Sequence, residues 1–128
     1  MSKTTYIIDG KNFSTLNGFF DEFRSVLTPA YSWGNNLDAL NDVLRGGFGT
    51  PDGAYTLLWK NSELSKERLG YPATVKELER RLQRAHAQAH SSIEERIRMA
   101  KGQTGETVFD WLVNAIRTEN PNIELILD

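Results

Sequence analysis

The sequence predicts an α/β fold, a small three-stranded parallel sheet packed with helices and enlarged by a helical insertion around residues 70–105. Three observations carry this. Short β-branched and aromatic runs recur early, midway and at the end of the chain. Segments with apolar residues at helical spacing lie between them, and strands separated by helices run parallel because a crossover is long enough to return the chain to the same end of the sheet. Finally, Pro72 to Lys101 is low in aromatics and rich in Ala, Arg, Glu and Gln, the composition of one long helix or a helical hairpin.

The elements follow in order. Thr5-Tyr6-Ile7-Ile8 reads as a strand closed by the turn pair Asp9-Gly10. Ser14-Thr15 then precedes Leu16, Phe19, Phe20, Phe23, Val26 and Leu27, spaced by three and four along one helical face that Pro29 ends. Asn35-Asn36 supplies acceptors for a second helix start. Leu37, Leu40, Val43 and Leu44 form its apolar stripe, and Gly46-Gly47 stops it. Gly46 to Gly53 is a loop, Ala54 to Trp59 a second strand, and Asn61 or Ser62 the start of a short helix. In the insertion, Val75, Leu78, Leu82, Ala85 and Ala89 step by three and four as a heptad seam, and capping pairs at Ser91-Glu94 or Ser92-Glu95 offer a break. Val108, Leu112 and Ile116 mark a late helix, and Ile123 to Leu127 the third strand. These phases place Ile7, Leu16, Phe20, Phe23, Leu37, Leu40, Leu44, Leu57, Leu112 and Ile126 in the core.

At 128 residues with 39% hydrophobic content the chain is long enough for one packed domain, residues 1–128, and too short for two. The absence of Cys excludes disulfide frameworks, thiolate zinc sites and Cys nucleophiles, and points to the cytoplasm. The first residues carry no run long enough for a signal peptide or a membrane span, so no membrane partner is expected. Charge is uneven: five bases and six acids up to Lys60, nine bases and six acids from Glu63 to Lys101, one base and five acids from Glu106 onward. With a formal net charge of only -2, charge-driven recognition must come from local clustering.

Most candidate chemistry fails on inspection. Gly47, Gly49 and Gly53 fit neither the dinucleotide nor the nucleotide phosphate pattern, and a helix precedes them. His86 and His90 lie four apart, but Ala87 occupies the place where a zinc protease needs Glu, and no third ligand is near. No His or Cys lies in the first 85 residues, so a nucleophile and base pair has no candidate base there. No metal, cofactor or small-molecule substrate is expected, and the chain does not read as an enzyme. Arg80, Arg81, Arg84, Arg96, Arg98 and Lys101 suggest a nucleic-acid stripe, but Glu77, Glu79, Glu94 and Glu95 interrupt it and no aromatic stands between for base stacking.

The informative segment runs from Tyr31 to Leu44. Leu37, Leu40 and Leu44 point inward, whereas Asp38, Asn41, Asp42 and Arg45 follow the complementary spacing and point outward. Two carboxylates four apart repel one another, and only Asp38 is near enough to the helix start to gain from the macrodipole. Either Asp42 serves a local pair with Arg45, or the face is an acidic plug for a cationic pocket.

These residues resemble the barstar-type ribonuclease inhibitors. The resemblance is carried by Ile8-Asp9-Gly10, by Tyr31 to Leu44 with its aromatic-Gly-x-Asn-Leu-Asp-Ala-Leu-x-Asp core, by Trp59-Lys60-x-x-Glu63-x-Ser65-Lys66, and by the final helix and strand. It implies a barstar-like fold and blockage of a barnase-like ribonuclease by an acidic helix and the loop before it, in the manner of a toxin immunity protein. It further implies that Asp42 is the principal acidic contact, Asp38 the second, and Trp33, Gly34, Asn36 and Leu37 the loop and helix-start contacts. With Asn41, Arg45 and Gly46 these form the expected partner-binding set. This chain departs from the family pattern at Ser32, Asn41, Gly47 with Phe48, and Ala115, the last standing where the final helix usually carries an acid, and residues 70–105 have no counterpart in the short form. A second reading keeps the fold but binds another partner through the insertion, and a third binds RNA through Arg80, Arg81 and Arg84. Ribonuclease inhibition should fail when Asp42 is neutralised, RNA binding when those arginines are.

Overall fold

The computed structural model describes residues 3–46 and 49–128. Its elements are β1 (Thr5–Asp9), a 3-10 turn (Gly10–Asn12), α1 (Leu16–Leu27), α2 (Leu37–Leu44), β2 (Tyr55–Lys60), α3 (Ser62–Arg68), α4 (Tyr71–Arg84), α5 (Ala87–Lys101), α6 (Val108–Glu119) and β3 (Ile123–Leu127). The three strands are parallel in the order β1-β2-β3, so β2 is central and the predicted sheet is present. Three of the helices, α1, α2 and α6, start where short polar side chains cap them. Thr15 accepts from Gly18 N at the head of α1, Asn36 from Ala39 N at α2, and Thr107 forms a reciprocal capping box with Asp110 at α6.

All of the helical cover lies on one face of the sheet. Tyr6, Leu57 and Leu125 share one register row, and Ile8, Trp59 and Leu127 the next. Leu57, Ile8 and Trp59 from these rows are buried together with Phe19, Phe20 and Phe23 of α1, Leu40, Val43 and Leu44 of α2, and Phe109, Leu112 and Ile116 of α6. Trp59 is the meeting point. Its ring stacks on Phe19 at 5.2 Å, tilts against Phe109 at 5.0 Å and Phe13 at 6.2 Å, and its indole N–H donates to Ser65 Oγ at 3.0 Å. Ser65 is brought there because Gly10 carries no side chain: a Cβ at Gly10 would stand 2.4 Å from Ser65 Oγ and 2.5 Å from Asn61 O. Next to it, Asp9 accepts from Lys11 N at 2.9 Å and Asn61 Nδ2 at 2.8 Å, and these donors hold its carboxyl below the ordinary range.

The opposite face is open, which corrects the expected burial of Ile7 and Ile126. They are 47% and 42% exposed, on the register row Ile7-Leu58-Ile126. Strand side chains alternate. With cover on one face only, Ile8 and Leu125 turn to the core and their neighbours turn away from it. Leu16 and Leu37 are half-buried at the core's edge, and the other expected core residues are buried.

The insertion is a helical hairpin. Its break falls at Ala85 and His86, whose extended backbone (ψ 150° and 152°) ends α4 and begins α5, and the expected break at Ser91-Ser92 is continuous helix instead. His90 closes the turn, its Nε2 lying 3.0 Å from Ala85 O, so the carbonyl of the residue that caps α4 is met by a side chain of the neighbouring helix. The heptad seam survives only as far as half-buried Leu82, because Ala89 has passed to α5 and is exposed. The hairpin docks beside α6. Leu78, Ile97 and Ala100 are buried, Thr74 Oγ1 accepts from Val108 N at 2.9 Å, and Arg81 and Arg96 each place a guanidinium about 5 Å from the Trp111 ring centroid, at 4.8 and 5.2 Å.

Two outcomes follow from this packing. None of the residues of the central apolar cluster belongs to α4 or α5. Replacing residues 71–103 with a short Gly/Ser linker should therefore preserve a cooperative thermal transition at a lowered midpoint, followed by circular dichroism; loss of cooperativity would make the hairpin part of the core. The second concerns Tyr55, whose phenol is pushed from 10.0 up to about 12 chiefly by burial, with Tyr6 contributing. In the pH window between those values the unfolded chain releases a proton that the folded chain retains. Tyr55 thus contributes full stability below its unfolded pKa and loses it as pH rises toward the folded one. Denaturation midpoints measured from about pH 9 upward should fall more steeply in wild type than in Tyr55→Phe.

Candidate functional site

The site is built on α2 and on the two chain segments that flank it. α2 has eight residues, so its orientation depends on burying one face. Leu40, Val43 and Leu44 are buried against α1 and α6, and Asn120 Nδ2 donates to Leu44 O at 3.0 Å, tying the end of α6 to the end of α2. Asp38, Asp42 and Arg45 are thereby turned outward and exposed. Asn41 is half-buried between the two faces, and its Oδ1 is buried with no hydrogen-bond partner among the described residues.

The electrostatics of this face are acidic but not uniform. Asp42, with its side chain 63% exposed, lies 3.4 Å from Arg45 Nη1, while Arg45 Nε donates to Glu119 of α6 at the shorter distance of 2.8 Å. Glu119 is the first cause of the upward shift of the Arg45 guanidinium, ahead of Asp42. The local pair anticipated between Asp42 and Arg45 is therefore present, but Arg45 is directed more closely to α6. Two carboxylates, Asp42 and Glu119, thus share one guanidinium, and Asp38 stands one turn before Asp42 on the same exposed face. Glu119 was missed at the level of sequence. It stands four residues after Ala115, one helical turn further along the same face, and that spacing was the available signal.

The loop before α2 is fixed from beneath. Trp33 is half-buried, its ring edge-on to Phe20 and Phe23 at 6.1 Å each, and its indole N–H donates to Thr28 Oγ1 at 2.8 Å. Gly34 is exposed, and a Cβ there would stand 2.9 Å from Asn36 Nδ2. Asn36 is spent on capping, its Oδ1 accepting from Ala39 N at 2.8 Å, while Leu37 is half-buried against the core. Beyond the helix, Gly46 is exposed, and the ring of Tyr31 covers Gly49 so closely that a Cβ there would meet it at 2.4 Å. The segments before and after α2 are thus brought into contact. Gly47 and Phe48 lie outside the described residues. Ser32 is exposed on the same loop and Ala115 half-buried on α6.

The structure brings Trp33, Gly34, Asn36, Leu37, Asp38, Asn41, Asp42, Arg45 and Gly46 into one continuous region, of which Gly34, Asn36, Asp38, Asp42, Arg45 and Gly46 are exposed. The bases of the insertion are differently placed. Glu77 binds both Arg80 and Arg81, Glu95 binds Arg98, and Arg81 and Arg96 cover Trp111. Among the described residues no group of three or more His, Cys, Asp or Glu side chains is arranged to hold a metal ion, and no helix is long and apolar enough to cross a membrane.

Comparison with known proteins places the chain by similarity. The family model described as Barstar (barnase inhibitor) matches residues 4–107, a span from β1 through α5. A protein of Bacillus subtilis (strain 168) named "Putative ribonuclease inhibitor YrdF" is 39% identical over 64 residues, covering 50% of this chain and 67% of that protein.

The cap on α2 gives a direct test of how the site is held. Asn36→Ala removes the acceptor for Ala39 N and should lower stability by about 1 kcal/mol, whereas Asn36→Asp should retain most of it. Chemical denaturation of the three forms measures the difference.

Proposed function

The chain belongs to the barstar family, and from that premise we propose that it inhibits a barnase-like ribonuclease stoichiometrically, inserting the acidic face of α2 and the loop before it into the enzyme's cationic active site. The observation that carries this reading is the division of α2 into two faces. Leu40, Val43 and Leu44 are locked into the core, and the same packing holds Asp38 and Asp42 out in solvent at a fixed spacing. A ribonuclease must hold its substrate's phosphates with Arg, Lys or His, so its active site complements such a face.

No covalent step is needed. A carboxylate entering that pocket loses water, and the loss is offset because it meets several cations at short range in a medium where their attraction is little screened. Arg45 opposes this attraction, and Glu119 draws Arg45 aside, which leaves the Asp42 carboxylate available. Before contact, the cluster of exposed carboxylates steers the approach of a cationic partner. RNA binding through the insertion finds less support, since Glu77 and Glu95 neutralise Arg80, Arg81 and Arg98 locally.

Truncating Asp42 would leave the enzyme's cations desolvated and unpaired. Asp42→Ala should therefore weaken binding to barnase, or to a ribonuclease co-purified with this chain, by more than about 2 kcal/mol, with Asp38→Ala losing less. The exposed pair with Arg45 contributes only about 0.2–0.5 kcal/mol to the inhibitor's own stability, so the two variants should fold normally. The association rate should fall steeply with salt, as steering is screened over a Debye length of about 8–10 Å. Calorimetric titration decides the matter: equal affinities for wild type and Asp42→Ala would remove α2 from the interface.

A further inference from the structure

We propose that Arg24, which lies on α1 outside the expected contact set, is the positioning residue that holds the loop before α2 in its binding conformation. The inference rests on the inhibitor reading and names how that site is kept in order. Between Leu27 and Leu37 the chain has no regular secondary structure, so its shape must come from side chains. Arg24 provides much of it. Its Nη2 donates to Trp33 O at 2.8 Å and also to Asn35 Oδ1, its Nη1 donates to Asp21 at 3.0 Å, and its Cζ lies over the Trp33 ring, 4.7 Å from the centroid. The same residue's carbonyl accepts from Thr28 N at 2.9 Å, and Thr28 Oγ1 in turn accepts the Trp33 indole N–H. The loop is gripped at both ends by one residue, through its main chain at Thr28 and its side chain at Trp33 and Asn35.

This is a task for Arg rather than Lys. A planar fork can donate in two directions while stacking on an indole, and an ammonium offers a single point. The side chain is 20% exposed, and its bond to Trp33 O is partly buried, whereas those to Asp21 and Asn35 lie at the surface. A loop ordered before the encounter does not have to be ordered during it, and that saving appears in the dissociation rate more than in the association rate. The position has an electrostatic cost as well, because Arg24 places a positive charge beneath a face that works by being negative. Its geometry must outweigh that cost if it is to help binding.

Arg24→Lys separates the two effects, since it keeps the charge and removes the fork. Binding of barnase is followed by stopped flow, and exchange of the Trp33 indole N–H and the Asn36 amide is followed by NMR in the free protein. The expected result for Arg24→Lys is an association rate and salt dependence equal to wild type, a dissociation rate raised about tenfold, and faster exchange at both sites. Arg24→Ala should show the same loosening together with a faster association. Asn35→Ala removes one tether without touching the core, so it should reproduce part of the effect and add little to Arg24→Lys if the lysine variant is poorly folded or ambiguous. Wild-type dissociation and exchange in Arg24→Lys and Asn35→Ala would overturn the proposal. If wild type binds neither barnase nor a co-purified ribonuclease, the inhibitor reading fails on its own, and the exchange rates still decide whether Arg24 holds the loop.

Discussion

Trp59 in the central strand is the residue on which the other elements converge, and it does so because the sheet is covered on one side only. A three-stranded parallel sheet usually lies between helices. Here α1, α2 and α6 share a single face, and Phe13, Phe19 and Phe109 reach the same indole from three segments of the chain. The ring's one polar group is met by Ser65, and Ser65 reaches it only past a residue without a side chain at Gly10. An aromatic of this size fully buried among other aromatics fixes their relative positions, because close packing leaves no second arrangement of equal density.

The candidate binding face follows from that arrangement. α2 is too short to be stable alone and is held by the layer that also contains Trp59. Every buried leucine on one side of it turns a carboxylate outward on the other. The acidic face is consequently coupled to the core: Asp38 and Asp42 repel one another and Arg45 is shared with Glu119, yet the burial of Leu40, Val43 and Leu44 is a much larger contribution than these exposed pairs. Unfavourable charge spacing of this kind persists where a core of sufficient strength imposes it, and it is the arrangement that a cationic partner would relieve.

The hairpin of α4 and α5 shows a different balance. It docks through a few buried residues, a hydrogen bond from the start of α6 to Thr74, and two guanidinium groups flanking Trp111. Three of its arginines, Arg80, Arg81 and Arg98, are paired within their own helix with glutamates three or four residues away. A basic segment in the sequence is therefore not a basic surface of the same strength, because part of its charge is paired within the helices.

The three strands and their parallel sense, the capped starts of α1 and α2, and the two faces of α2 were legible in the sequence because each depends on local spacing, local capping or crossover length. Adjacent aliphatics were not: Ile7-Ile8 and Leu125-Ile126 permit either phase, and although Glu124 hints that Ile126 faces outward, only the one-sided cover decided it. The break in the insertion was equally undetermined, since capping signals at Ser91 and Ser92 competed with a turn at Ala85-His86 that is stabilised by His90 across the two helices. Of the candidate site, the residues on α2 could be read from periodicity and family resemblance. Glu119, 74 residues beyond Arg45 in the chain, and the hold of Arg24 on Trp33 and Asn35 could not. The sequence by itself determined which residues can stand on one face of a helix, because that is a property of a repeat of 3.6 residues. Which distant side chains complete the site was left to the tertiary structure, because long-range pairing is set by how the layers pack around Trp59.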